Sequence, residues 1–183
     1  KYRPQNISDM VGNEEPRAMI IEWFAKWKKG TKPLLIVGPP GIGKTTIAFL
    51  LAKQFGYDMI GLNASDVRSK SRINEILTPV LGNVSVLGTP MIFVDEVDGI
   101  HGRGDYGGAS ALVDILKKPN VPILLAANND DSDKMKSIKK AVTTVSFKKI
   151  PPRLLRVYLD NILQRENEKL SPGSLIKVID KSK

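Results

Sequence analysis

Two stretches of this chain hold residues whose types and spacing could do chemistry together. The first, GPPGIGKTT at 38–46, fits the pattern G-x-x-x-x-G-K-[ST] through Gly38, Gly43, Lys44 and Thr45. The second, IFVDEVDG at 92–99, is an apolar run that stops at Asp95 and is followed closely by Glu96 and Asp98. Gly41 and Gly43 permit backbone conformations in which successive N–H groups point inward. Such donors at the start of a helix favour phosphate oxygens. Lys44 would add a point charge on the β- and γ-phosphates, and Thr45 a hydroxyl to Mg²⁺. The expected cradle is Gly38, Pro39, Pro40, Gly41, Ile42, Gly43, Lys44, Thr45 and Thr46.

A nucleotide in such a loop brings Mg²⁺, and that gives the carboxylates a purpose. Asp95, at the end of a buried strand, is expected to order the metal. Glu96 beside it is expected to orient or deprotonate an attacking water. A small-molecule kinase does not need that second carboxylate, because its acceptor is a substrate hydroxyl. Adjacent Asp and Glu therefore point to hydrolysis, with a solvated turn residue as the competing reading of Glu96. For Asp98 a turn cap and a site role stand level. The run AANN at 126–129 ends another apolar stretch. Asn128 or Asn129 would reach the γ-phosphate from there, or would simply form the turn.

These groups need elements to hold them. Five short apolar runs, 34–37, 58–62, 91–95, 123–127 and 143–147, are mostly apolar throughout instead of alternating. That is the pattern of strands covered on both faces, as in parallel sheets. Helical periodicity lies over 17–29, where Ile20, Trp23, Phe24 and Trp27 recur and Gly30 ends the run. It appears again over 44–55, 109–117 and from the prolines at 151–152 to about Lys169. The segment 133–142 is basic and reads as a solvated helix, and 1–17 as an extended arm. Strands alternating with helices give a doubly wound α/β fold with a five-stranded parallel sheet. Because run 58–62 falls between the phosphate loop and Asp95, an extra strand is expected between the two strands that carry them.

Composition sets the outer bounds. The 183 residues carry a net charge of +9 and no cysteine, which excludes disulfides and thiolate metal sites. The positive balance suits a polyanion such as nucleic acid, or a lysine-rich solvated surface. No apolar run approaches the ~20 residues of a membrane helix, so no membrane is expected. The first residue is Lys1, with nothing like a signal peptide, so a piece of a longer intracellular protein is expected.

Taken together, KYRP (1–4), VGNEE (11–15), GPPGIGKTT, LNASD (62–66), FVDEVDG (93–99) and LLAANN (124–129) resemble the AAA+ ATPases. More narrowly, they resemble clamp-loader subunits of the replication factor C type. The small subunits of that family carry Asp-Glu-Ala-Asp at the second motif, and Ser-Arg-Cys before the last strand. Here Lys140, Ala141 and Val142 fill the latter place, and DEVDGIHGRGDYGG follows the large-subunit pattern of the archaeal form. The resemblance implies an ATPase that uses ATP and Mg²⁺ to load a sliding clamp onto primer-template DNA. It implies residues 1–149 as the AAA+ domain and 150–183 as the incomplete start of a helical lid.

By the same resemblance, Tyr2, Arg3, Pro4 and Val11 line the adenine side, and Asn128 is the sensor asparagine. The family's second sensor arginine would lie in a third lid helix, past Lys183. DNA contacts fall to Arg68, Lys70, Arg72 and Arg103, and partners are replication factor C small subunits in a hetero-pentamer, a sliding clamp and DNA. Such a machine works in the cytoplasm or nucleoid of an archaeon, or in a nucleus. His101, the single histidine, has no assigned role. Relatives in alternative and checkpoint loaders share these motifs, and a scaffold that binds nucleotide but hydrolyses it poorly would also keep them.

Overall fold

The computed structural model of the chain describes residues 2–63, 65–66, 69–82, 89–100 and 107–181. After the arm come helix α1 (Glu14–Ala25), strand β1 (Leu34–Val37) and helix α2 (Lys44–Phe55). Strand β2 (Tyr57–Leu62), helix α3 (Lys70–Gly82) and strand β3 (Thr89–Val94) follow. Next are helix α4 (Gly108–Lys117), strand β4 (Ile123–Ala127), helix α5 (Asp133–Ala141) and strand β5 (Thr143–Ser146). Helices α6 (Pro152–Arg165) and α7 (Pro172–Lys181) complete the order.

The strands form one five-stranded sheet in the order β2-β3-β4-β1-β5, with every pairing parallel. Successive residues of β1 explain why its sequence does not alternate. Leu34 and Ile36 pack with Phe24, Ile47 and Leu51 of α1 and α2, whereas Leu35 packs with Ile73, Leu112 and Met135 of α3, α4 and α5. Both faces are dry, so both need apolar side chains. The expected strand between the two motif strands is present, but it is β4. Run 58–62, within β2, pairs only with β3 and lies at the sheet edge.

Three readings of helices need correction. Helix α1 starts at Glu14 and ends at Ala25 instead of running from Arg17 to Lys29. Glu14 and Glu15 suit the positive end of the helix. Past its end, the Lys28 amide donates to Thr31 Oγ1 and the Gly30 amide to Pro119 O, so both are committed to a turn. Helix α3 escaped the periodicity reading, although Ile73, Ile76 and Leu77 recur at helical spacing and pack into the core. Helix α5 is solvated on one face only. Met135 and Ile138 are fully buried, and Ser132 caps its start by accepting from the Met135 amide at 3.3 Å.

The arm is folded, not merely extended. Ile7–Asp9 makes a 3-10 turn, and the buried Arg17 donates from Nη1 to Ile7 O at 2.6 Å. Asn13 then fastens the arm to the end of the sheet. Its Nδ2 donates to Lys148 O at 2.9 Å, and its Oδ1 accepts from the Lys148 amide at 2.7 Å. The side-chain amide thus copies a backbone partner for residue 148. Asn13 does so from a left-handed backbone, φ 54°, which asparagine tolerates better than most residues.

Replacing Asn13 by Ala should cost about 2 kcal/mol, from two lost hydrogen bonds plus left-handed strain on a Cβ residue. Replacing it by Gly should cost about 1 kcal/mol, because the strain is relieved while the bonds are still lost. Chemical denaturation of both variants measures the difference. Equal losses would show that backbone strain at residue 13 is immaterial.

Candidate nucleotide site

The phosphate loop, the Asp95–Glu96 pair and Asn128 leave the sheet at the carboxyl ends of β1, β3 and β4, the edge where open α/β sheets bind ligands. The phosphate loop departs from β1 at Gly38, whose amide donates to Ala127 O at 3.2 Å. A Cβ at residue 38 would fall on Phe147 O and within 2.6 Å of Ile42 Cδ1, so glycine is required by packing. Gly41 and Gly43 take φ values of +77° and +94°, a region open to glycine at no steric cost. Ile42 is buried beneath the loop, which leaves its backbone as what it presents outward.

Lys44 is the first residue of α2 and is itself buried. Its ammonium donates to Gly38 O at 2.6 Å, Pro39 O at 2.9 Å and Asn128 Oδ1 at 2.8 Å, which occupies all three of its protons. Burial pushes its pKa below the ordinary lysine value, and the charges of Asp95, Asp98 and Glu96 oppose that shift. Thr45 Oγ1 donates to Asp95 Oδ2 at 2.7 Å, while Asp95 Oδ1 accepts from the Glu96 amide at 2.9 Å. A hydroxyl beside a carboxylate is the hard-oxygen donor set that Mg²⁺ uses when phosphates and waters complete its shell. Among the described residues there is no cluster of three or more His, Cys, Asp or Glu that could hold a metal.

Glu96 follows Asp95 with its side chain exposed and its backbone left-handed, φ 52°. Together with Arg3, Pro40, Gly41, Thr46 and Asn128 it lines a cavity of about 410 Å³ over the phosphate loop. The two asparagines after β4 separate cleanly. Asn128 faces Lys44, whereas Asn129 Oδ1 accepts from the Asp131 amide at 2.9 Å and builds the turn. Asp98 lies in a 3-10 turn, Val97–Gly99, and its Oδ2 accepts from the Asn129 amide at 3.2 Å.

A second cavity, of about 610 Å³, lies between the arm and α6. Tyr2, Arg3, Pro4 and Val11 line it from the arm, Val157 and Tyr158 from α6. Arg3 borders both cavities, with its guanidinium 5.7 Å from the centre of the Phe49 ring on α2. Tyr158 donates its hydroxyl to Tyr2 O at 2.9 Å, and the Tyr2 hydroxyl donates to the Glu166 carboxylate. The α6 wall was missed as a site element. Its apolar stripe was legible, but the stripe does not say that it faces the arm.

The basic residues are more scattered. Lys70 is exposed at the start of α3, and Arg72 is exposed and paired with Glu75 at 2.9 Å. Ser69 and Gly107 form an isolated antiparallel bridge that brings the starts of α3 and α4 together. Arg68, His101 and Arg103 lie outside the described residues. No helix among the described residues is long and apolar enough to cross a membrane.

Comparison with known proteins agrees with this architecture. Over 95% of this chain and 58% of the other, the fold matches a variant of Thermotoga maritima RuvB with a TM-score of 0.69 at 15% identity, a likeness of fold alone. In sequence, the replication factor C large subunit of Thermofilum pendens is 40% identical over 100% of this chain and 46% of its own length. That of Methanosphaera stadtmanae is 40% identical over 91% of this chain and 32% of its own length. That of Archaeoglobus fulgidus is 33% identical over 98% of this chain and 40% of its own length. The chain thus spans less than half the length of these curated relatives. The family model described as ATPase family associated with various cellular activities (AAA) matches residues 34–166. The chain belongs to the AAA ATPase family.

Proposed function

We propose that this chain is the ATPase module of a replication factor C large subunit of the archaeal type, which spends ATP to load a sliding clamp onto primer-template DNA. The observation that carries this reading is the alignment of the whole chain with such large subunits at up to 40% identity. In this reading residues 1–149 are the ATPase domain and 150–183 begin a helical lid, and the protein works inside the cell. The adenine enters the cavity between the arm and α6, bordered by Tyr2, Arg3, Pro4 and Val11. The triphosphate lies over the phosphate loop. Thr45 and Asp95 hold Mg²⁺, which supplies charge neutralisation on the phosphates when bound.

Lys44 turns from its carbonyl partners toward the β- and γ-phosphates. Glu96, free of the metal site and facing the cavity, orients the attacking water or takes its proton. Asn128 senses the γ-phosphate from the end of β4. Arg68, Lys70, Arg72 and Arg103 are the candidate contacts to the DNA backbone, of the kind that gives salt-dependent affinity without reading sequence.

Partnership follows from the end of α5. Ala141, in the place of a small subunit's arginine, is buried. The chain therefore offers no arginine there and borrows one from an adjoining small subunit for its own nucleotide. Such a residue is worth about 10³–10⁵ in rate in other P-loop enzymes. A scaffold that hydrolyses ATP poorly is the second reading, and it is favoured only by Lys44 being fully hydrogen-bonded within the chain.

Lys44→Ala should fold, because it removes a buried charge and introduces none, and should lose nucleotide binding by calorimetry. Unchanged affinity in the folded variant would remove Lys44 from the site. Mixing the chain with small subunits, DNA and clamp should raise turnover at its own site above that of the chain alone. Glu96→Gln should bind Mg·ATP normally in that complex yet hydrolyse it about 10²–10⁴ times more slowly. Turnover as fast alone as in the complex would defeat the borrowed arginine. An unaffected Glu96→Gln complex would return Glu96 to a turn residue.

A further inference from the structure

We propose that Asp98 is a positioning residue for Asn128, holding the backbone of the β4 exit turn so that the asparagine side chain meets Lys44. This rests on the reading of Asn128 as the group that senses the γ-phosphate.

The observation is a chain of bonds between two adjacent strand ends. Strands β3 and β4 are neighbours in the sheet, with Val94 opposite Leu125. The segment after β3 is anchored to the core. Val97 and Ile100 are buried in the core, and the Gly99 amide donates to Glu96 O at 2.7 Å. Asp98 stands between these anchors and reaches across to the neighbouring exit, where its Oδ2 accepts from the Asn129 amide at 3.2 Å.

That amide belongs to the peptide joining Asn128 to Asn129, so holding it limits rotation about Asn128. Asn128 needs such a restraint. It is exposed, so packing does not fix it, yet its Oδ1 sits 2.8 Å from Lys44 Nζ. The other bonds of the turn run from the Asp131 amide to Asn129 Oδ1 and from Lys139 to Asp130, and neither involves Asn128.

The second carboxylate oxygen of Asp98 takes no part in this bond. Its Oδ1 is buried without a hydrogen-bond partner among the described residues. Leaving such an oxygen unpaired is unfavourable, and local rules are broken mainly at functional sites. The useful oxygen is Oδ2, and an asparagine at 98 retains an oxygen that can accept the same N–H.

The test uses the full chain with Mg·ATP, single-turnover hydrolysis, nucleotide affinity and hydrogen exchange of the Asn129 amide. Asp98→Ala should speed that exchange and slow turnover, each by about tenfold, while nucleotide affinity stays within about twofold. Asp98→Asn should rescue both to within about threefold, since it keeps the acceptor. Asn128→Ala should slow turnover, and adding Asp98→Ala to it should slow it no further, because the two act through one side chain.

Multiplying effects in the double variant would overturn the proposal, as would Asp98→Ala with unchanged turnover. If Asp98→Ala does not fold, Asp98→Asn still decides. Lost turnover with the Asn129 amide still protected would show that charge, not the held backbone, matters. Should Asn128→Ala alone leave turnover unchanged, the sensor reading fails, while the exchange data still report whether Asp98 holds the turn.

Discussion

An ammonium group has to be kept below the surface at the amino end of a helix, and most of the site is arranged around that need. The first turn of α2 already presents unpaired N–H groups and the positive end of the helix dipole. Placing Lys44 there adds a full charge of the same sign. Burial makes the charge costly, as its lowered pKa records, and the carboxylates Asp95, Asp98 and Glu96 offset only part of that cost. The carbonyls of Gly38 and Pro39 and the side chain of Asn128 supply hydrogen bonds but no counter-charge. A polyanion meets the remaining demand, and a triphosphate brings its charge in the row of oxygens that the loop's N–H groups suit.

The sheet order determines which groups share that demand. Neighbouring strands lie about 4.8 Å apart, so β1 and β3, with β4 between them, are separated by about 10 Å. Thr45 and Asp95 nevertheless touch at 2.7 Å. The phosphate loop achieves this by rising from β1 and returning over the end of β4, so that α2 starts close to the end of β3. Asn128 follows β4 and meets the Lys44 ammonium at 2.8 Å. Had β4 not intervened, the two motif strands would adjoin and no third strand end would open between the lysine and the aspartate. The parallel arrangement puts all three exits on one edge, and the helices that make the crossovers keep both faces dry.

Sequence reasoning went furthest where a local rule fixes the outcome. GPPGIGKTT is constrained by its own backbone, and the buried strands advertise themselves by uninterrupted apolar residues. Strand adjacency is a different matter. Nothing within 58–62 says that it belongs at the edge, or that 123–127 belongs in the centre, because both are decided by crossovers between distant segments. The same holds for Asn128 against Asn129. Both are turn-formers by type, and only the fold shows that one side chain faces Lys44 while the other folds back on Asp131. The start of α1 was blurred because the Asn13 clasp depends on Lys148, more than a hundred residues away in the chain. Helix α5 looked solvated because its lysines outnumber Met135, Ile138 and Ala141, which seat it in the core.

The arm and α6 come from opposite ends of the chain, yet they share one cavity with each other and one residue with the phosphate loop. Arg3 borders both spaces, and its cation sits over the face of Phe49, an attraction of about 0.5–1 kcal/mol at an exposed site. Helix α6 has no fully buried residue. It is joined to the arm by Tyr158 on Tyr2 and by Tyr2 on Glu166. An element with so little buried area opens at small free-energy cost. A nucleotide spanning both cavities would add contacts to the arm, α6 and the loop at once, and would favour their closed arrangement by the difference in its affinity for the two states. Loss of the terminal phosphate would withdraw contacts chiefly from the loop side, at Lys44, Thr45 and Asn128, and leave the base side in place. In the proposed reading, the sheet edge is where a change of phosphate would be detected, and the lightly packed α6 is where that change would become movement.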